Sequence, residues 1–264
     1  MSLLVSGHVL ITGATGGIGR ALARMFAARG ARLTLTGRKV DVLEPLAREL
    51  GGRALACDLS DRAELERLVA SAGAVDVLIA NAALPASGEL TELTQGQIDR
   101  MLEVNLRAPI ALSRGLVPGM IERRRGHLVF VSSLSGKAAS PASSIYSATK
   151  FGLRGFALAV REDLREHGVG ASVILPGFIR EAGMFADADI ELPPLVGTRS
   201  PEEVAAAAIR AIERDRAEVD VAPLGLRVGA SIATVVPQVA AAVSRRLGSD
   251  KIATDLAAGQ MDKR

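Results

Sequence analysis

Short runs of consecutive apolar residues alternate along this chain with stretches whose apolar positions recur every three or four residues. The first pattern is that of a buried β-strand, and the second that of a helix with one apolar face. Strands are predicted over residues 9–12, 32–36, 53–57, 75–80, 127–131, 171–175 and 218–222. Helices are predicted over 18–29, 40–50, 62–71, 144–167 and 201–214. A further long helix runs from a Thr94 cap toward Arg123, with Pro109 and Pro118 expected to bend or break it. Ser200 and Pro201 open the 201–214 helix as cap and first helical residue. Strands that are apolar throughout need cover on both faces, and a strand–helix repeat supplies it. The expectation is an α/β fold, a doubly wound parallel sheet in a single domain over residues 1–248.

Three features fall outside the repeat. Residues 177–200 form the long irregular connection, and such loops in compact domains usually carry function. An apolar helix is expected over 225–247, and residues 249–264 read as a polar tail. The apolar stretch of that helix, 228–243, carries Pro237 and Gln238 and is shorter than the roughly 20 residues of a membrane span. Arg227, Arg245 and Arg246 border it. Packing on the domain or on a neighbouring subunit is the expected placement, with a helix lying on a membrane surface as the alternative.

Composition narrows the partners. Of 264 residues 48% are hydrophobic, ample for one core, and the net charge is only +3. Aromatic residues make up 3%, too few for base-stacking platforms, so nucleic acid is not an expected partner. Cys57 is the only cysteine, which excludes an intramolecular disulfide and points to a reducing compartment, the cytoplasm. The first residues lack the charged region and cleavage pattern of a signal peptide, and no metal site is expected.

The sequence TGATGGIG, residues 12–19, follows the first strand and opens the first helix. Small residues there let the backbone approach a pyrophosphate, while the helix N-terminus offers N–H donors and a positive dipole end. Its place inside a βαβ pattern gives the motif its weight. The glycines fit T-G-x-x-x-G-x-G through Gly13, Gly17 and Gly19, and also T-G-x-x-G-x-x-G through Gly13, Gly16 and Gly19; Thr15 and Ile18 line the same turn.

Tyr146, the only tyrosine, and Lys150 lie four residues apart on one helix face. An ammonium fixed beside a phenol is expected to depress the phenol's pKa toward the range useful for proton exchange at neutral pH. Taken alone, the pair reads more simply as a buried Tyr beside a Lys reaching for water. Ser133 lies 13 residues before Tyr146, just past the 127–131 strand, where strand ends face the ligand crevice. Ser132 is the neighbouring alternative, which strand alternation sends to the other face.

With this glycine turn and this Ser–Tyr–Lys spacing, the chain resembles the short-chain dehydrogenase/reductase family over nearly all of residues 5–225. The first glycine spacing is that of the family's short, single-domain members, and the second marks longer relatives such as nucleotide-sugar epimerases. The resemblance implies a Rossmann-like fold and an NAD(P)-dependent oxidoreductase that interconverts a ketone or aldehyde and an alcohol. It implies that Tyr146 is the general acid toward a carbonyl oxygen and the base in reverse. Lys150 would lower the Tyr146 pKa and hold the nicotinamide ribose, and Ser133 would hydrogen-bond the substrate oxygen. Asn105, in EVNL, would position a water linking Lys150 to solvent.

An acid about 20 residues beyond the glycines would bind the ribose 2′-hydroxyl of NAD. That strand tip holds Thr36, Gly37 and Arg38 instead, with Asp41 expected to face away. Arg38 suits a 2′-phosphate, so NADP (NADPH) is expected ahead of NAD. Asp58 and Leu59, in CDLSD, match the family's adenine-end segment, although Asp58 also reads as the start signal of the next helix, which Ser60 or Asp61 can provide. Asn81 and Ala82, in IANAA, keep half of the family's N-N-A-G, with Ala80 and Ala83 replacing Asn and Gly. Pro176, Gly177, Phe178 and Ile179 match the segment beside the nicotinamide, and Glu181 stands where Thr is usual. That exchange removes a hydroxyl and sets an acid near the cofactor phosphates unless the loop is rerouted.

Substrate choice is expected to rest on 84–93, 134–143 and 177–199, where Leu84, Leu134, Phe178, Met184, Phe185, Ile190, Leu192 and Leu195, with Pro193 and Pro194, suit a hydrophobic small molecule. The resemblance also implies a homo-oligomer, dimer or tetramer. Two other functions compete: a catalytically inactive cofactor-binding sensor or scaffold, and an epimerase or dehydratase that recycles its cofactor. The sensor is expected to lose Tyr146 or Lys150, both of which are present, and the chain is short for an epimerase's substrate domain.

Overall fold

The computed structural model describes residues 4–85, 88–181 and 197–246. Seven strands form one sheet: β1 (His8–Thr12), β2 (Arg32–Gly37), β3 (Arg53–Ala56), β4 (Val77–Ala80), β5 (Gly126–Val131), β6 (Val169–Pro176) and β7 (Glu218–Val221). Their order is β3-β2-β1-β4-β5-β6-β7, every pair parallel. The helices are α1 (Gly17–Ala27), α2 (Val40–Glu49), α3 (Arg62–Ala72), α4 (Gln95–Leu102), α5 (Ala108–Glu122), α6 (Ser144–Leu164), α7 (Pro201–Glu213), α8 (Leu224–Val235) and α9 (Pro237–Arg246).

Alternation along β1 shows how the sheet is covered. Val9 and Ile11 join a core with Leu22 and Phe26 of α1, Leu43 of α2 and Ile209 of α7. Leu10, between them, points into a second core with Leu65 of α3, Leu112 of α5 and Leu153 of α6. The sheet is thus buried on both faces, the Rossmann-like doubly wound arrangement the apolar strands require. Strand order reverses between β1 and β4, so crossovers leave these neighbours toward opposite faces and open a crevice at their carboxyl ends.

Two helix predictions are corrected. The long helix after Thr94 changes register in a π-helical turn, Glu103–Arg107, which joins α4 to α5 immediately before Pro109, whereas Pro118 does not break it. Pro109 falls in the first turn of α5, directly after the π-turn, and α5 runs through Pro118 to Glu122. The expected single helix over 225–247 is two helices, with Val236 as the last cap of α8 and Pro237 opening α9. Among the described residues, no helix is long and apolar enough to cross a membrane.

Candidate active site

The crevice is built where β1 and β4 end. Gly13 sits at φ +64°, and a Cβ there would lie 2.8 Å from the Ala82 Cα, so only glycine fits. A Cβ on Gly19 would run into the Gly13 carbonyl and lie 2.8 Å from the Ala14 Cα, which is how α1 closes tightly on the strand. At Gly16 a Cβ would meet the Gly13 oxygen at an ordinary 3.5 Å, so packing requires Gly13 and Gly19 and does not require Gly16. Thr12 Oγ1 accepts from the N–H groups of Asn81 and Ala82, both at 3.0 Å. Asn81 Nδ2 donates back to the carbonyls of Thr12 and Gly13, at 3.0 and 3.2 Å. The turn is thereby laced to the end of β4, with Asn81 acting from the protein side.

Helix α1, like α2 and α6, begins without a side-chain cap, unlike three of the other helices. Asp61, Thr94 and Ser200 cap α3, α4 and α7 with a side-chain oxygen. Gly16 caps α1 without one, and its first turn, Gly17 to Gly19, has no acid. The first N–H groups and the positive end of the helix dipole are left for an anion, with Thr15 and Ile18 flanking them. These residues fit the pyrophosphate of a dinucleotide.

At the far end of the same edge, Arg38 is exposed just beyond β2 and has no ion-pair partner among the described residues. Asp41 is exposed in the first turn of α2. Asp58, beyond β3, is not the cap of α3; that is Asp61. Burial alone would raise the Asp58 pKa, but the Ser60 hydroxyl and N–H, Arg100 and Arg38 together hold it below the usual range. Those hydrogen bonds are 2.7 and 2.9 Å long, and Arg100 stands at 3.6 Å. Leu59 beside it is buried.

The structure brings Ser133, Tyr146 and Lys150 together. Ser133 follows β5 in extended conformation, its Oγ accepting from the Ser135 N–H at 3.1 Å. The Ser133 hydroxyl also lies near enough to the Tyr146 phenol to favour its phenolate form. Ser132 lies on the face that α6 covers, as alternation from Leu128 and Phe130 requires: its hydroxyl donates to the Lys150 carbonyl at 2.9 Å, anchoring the helix to the strand. The half-buried Tyr146 ring packs on Leu93 and on Met101 of α4. Lys150 Nζ lies 5.5 Å from the centre of that ring and donates to the Val131 carbonyl at 3.1 Å.

The expected depression of the Tyr146 pKa is corrected. Burial pushes the phenol up to about 12, with the nearby Ser133 hydroxyl pulling the other way. Burial also brings Lys150 down to about 8. Desolvation of both groups therefore outweighs the attraction between ammonium and phenolate. Asn105, in the π-turn, accepts from the Leu84 N–H and donates to the Leu84 carbonyl, and so fixes the loop after β4.

The segment after β6 is clamped at its neck. Pro176 ends the strand, and the Gly177 N–H donates to the Val221 carbonyl at 3.0 Å. Ile179 is buried and bridges Arg199, with reciprocal backbone bonds of 2.9 Å at Arg180–Arg199 and Arg199–Phe178. Glu181 is exposed at φ +65° and paired with Arg180 at 3.3 Å. It lines a groove along α1 with Gly17, Arg20 and Arg24. Leu84 and Leu134 are half-buried against the second core. Met184, Phe185, Ile190, Leu192, Pro193, Pro194 and Leu195 lie outside the described residues.

Thr12, Leu93, Met101 and Arg100 were not singled out from the sequence. Thr12 had a signal, the hydroxyl opening the glycine turn at a strand end, whereas the others act through contacts distant in sequence.

An uncapped glycine-rich helix start beside a hydroxyl-bearing cluster, on the carboxyl edge of a doubly wound sheet, is the architecture of dinucleotide-dependent oxidoreductases. The model of the short chain dehydrogenase family matches residues 7–191, and the chain belongs to that family. It is 35% identical to the ketoacyl reductase HetN of Nostoc sp. over 228 residues, 83% of this chain and 79% of that protein. It is 33% identical to dehydrogenase/reductase SDR family member 7B of Xenopus tropicalis, over 88% of this chain and 82% of that one. The alignment to the mouse protein of that name, at 38% identity, spans 57% of its length. A short-chain dehydrogenase from Sphingobium yanoikuyae, solved in complex with NADPH, superposes with a TM-score of 0.75 at 28% identity, covering 81% of this chain and 87% of that one.

Proposed function

We propose that this oxidoreductase is an NADP(H)-dependent carbonyl reductase, interconverting a hydrophobic ketone or aldehyde and its alcohol. The observation that carries the reading is the cluster of Ser133, Tyr146 and Lys150, with the Lys150 ammonium 5.5 Å from the Tyr146 ring and the phenol protonated at neutral pH. A general acid must carry the proton it gives. Tyr146 donates to the carbonyl oxygen, and Ser133 hydrogen-bonds the same oxygen as negative charge develops on it. Lys150 holds the cofactor ribose and stabilises the phenolate left behind. A nicotinamide dinucleotide bound at the glycine turn supplies the hydride.

Gly13, Gly16, Gly17 and Gly19 cradle the pyrophosphate, Asp58 and Leu59 border the adenine, and Asn81, Ala82, Pro176, Gly177 and Ile179 border the rest. Arg38, exposed and without an ion-pair partner among the described residues, supports NADP over NAD. The relatives' names agree with this class: one is a ketoacyl reductase, and one solved neighbour carries NADPH. A cytoplasmic homo-oligomer completes the proposal.

The test is oxidation of NADPH and of NADH over a panel of apolar ketones and aldehydes, with Arg38→Leu alongside. Preference for NADPH that shrinks in Arg38→Leu supports the reading. NADH preference would remove Arg38 from it, and binding without turnover would favour a sensor.

A further inference from the structure

The C-terminal pair α8–α9 plays no part in the chemistry above. Helix α8 turns one face inward, with Ala230 buried and Leu226 and Ala233 half-buried. Leu224, Val228, Ile232 and Val235 follow an i, i+4, i+8, i+11 spacing on the opposite side and are 70%, 49%, 48% and 79% exposed. Val236 and Val239 continue the apolar surface onto α9. Six of the ten large hydrophobic side chains exposed among the described residues thus fall within residues 224–239. A helix that needs only a core has one apolar face; α8 has two. Apolar surface gathered in this way marks a contact with a partner.

Charge decides what the partner is. From residue 221 to 249 the sequence holds Arg227, Arg245 and Arg246 and no acid. Asp220, at the inner end of the groove beside α8, is already held by Lys137 at 2.7 Å. A second copy meeting this surface about a two-fold axis would offer Arg227 no carboxylate from residues 221–249. Anionic headgroups answer the arginines directly, and exposed aliphatic side chains bordered by arginine are what an interfacial helix presents to a bilayer. Helix α8 also starts just beyond β7, at the carboxyl edge of the sheet that carries Ser133.

We propose that α8–α9 is a docking surface for an anionic phospholipid bilayer, lying in its interface with Leu224, Val228, Ile232 and Val235 at the headgroup–acyl boundary. This does not depend on the reductase reading, and its test needs no substrate.

The full-length protein is sedimented with vesicles of phosphatidylcholine alone and of phosphatidylcholine mixed with phosphatidylglycerol, beside Val228→Glu/Ile232→Glu and Arg227→Glu. Both substitutions are on exposed positions, and an unchanged thermal midpoint confirms that each variant is folded. The expected result is binding to the phosphatidylglycerol vesicles only, weakened by salt and by Arg227→Glu. The folded double variant should bind weaker by tenfold or more, on the order of what two lost apolar side chains contribute. Wild type left in the supernatant, or a folded double variant that binds as tightly, would overturn the proposal. So would loss of a dimer in the double variant, seen by sedimentation equilibrium, with no wild-type binding to vesicles; the stripe would then be a subunit contact.

Discussion

Asn105 and Leu84 are joined by two hydrogen bonds: Asn105 Oδ1 accepts from the Leu84 N–H at 2.7 Å, and Asn105 Nδ2 donates to the Leu84 carbonyl at 2.9 Å. Asn105 is 1% exposed and sits in the π-turn, where the helix register shifts. One side chain thus replaces the strand partner that the Leu84 peptide lacks once β4 has ended. Asn105→Ala leaves both groups unpaired and is expected to lower stability by about 1–3 kcal/mol. Chemical denaturation measures that loss. Catalytic efficiency should fall with it, since the loop from Leu84 borders the crevice.

Lys150 is 2% exposed, and its ammonium donates to the Val131 carbonyl. Its pKa, lowered from 10.5 to about 8 by burial, means that the unfolded chain binds the extra proton between those values, so stability rises with pH across that interval. Below pH 8 the folded protein carries the full cost of a buried charge. Lys150→Met is therefore expected to stabilise the cofactor-free protein at neutral pH by about 1–3 kcal/mol while turnover is lost. Thermal unfolding and activity of the same sample check both halves.

His127 lies at the opposite end of the sheet, 2% exposed, its Nε2 against Ser172 Oγ at 2.8 Å. Burial lowers its pKa from 6.5 to about 4. Its contribution to stability is complete above pH 6.5 and is lost as the pH falls toward 4, where the unfolded chain takes up a proton the folded one refuses. Urea midpoints at the two ends of that interval should fall for the wild type. They should fall less for His127→Gln, by an amount on the order of 2 kcal/mol.

Periodicity located the sheet and its helices because the inner strands β1, β4, β5 and β6 are buried almost throughout, which makes their apolar runs continuous. Ser133, Tyr146 and Lys150 were legible for a related reason: a strand end and a single helix place them, so spacing along the chain becomes proximity in space. What escaped depends on distant contacts. Pro118 does not break its helix, and the π-turn before Pro109 holds Asn105, whose partner Leu84 is 21 residues away. Pro237 does divide its helix, because its missing N–H costs nothing at a helix start. The Tyr146 pKa had the wrong sign from sequence, since spacing reports the nearby ammonium but not the desolvation contributed by Leu93, Met101 and their neighbours.

The central claim is that the Tyr146 phenol delivers the proton. Its most direct test is NADPH oxidation with an apolar ketone by the wild type and by Tyr146→Phe, with NADPH affinity measured on both by calorimetry. Equal affinities, turnover in the wild type and a loss on the order of a thousandfold in the variant are predicted. A variant that binds NADPH and turns over at close to the wild-type rate would contradict the account.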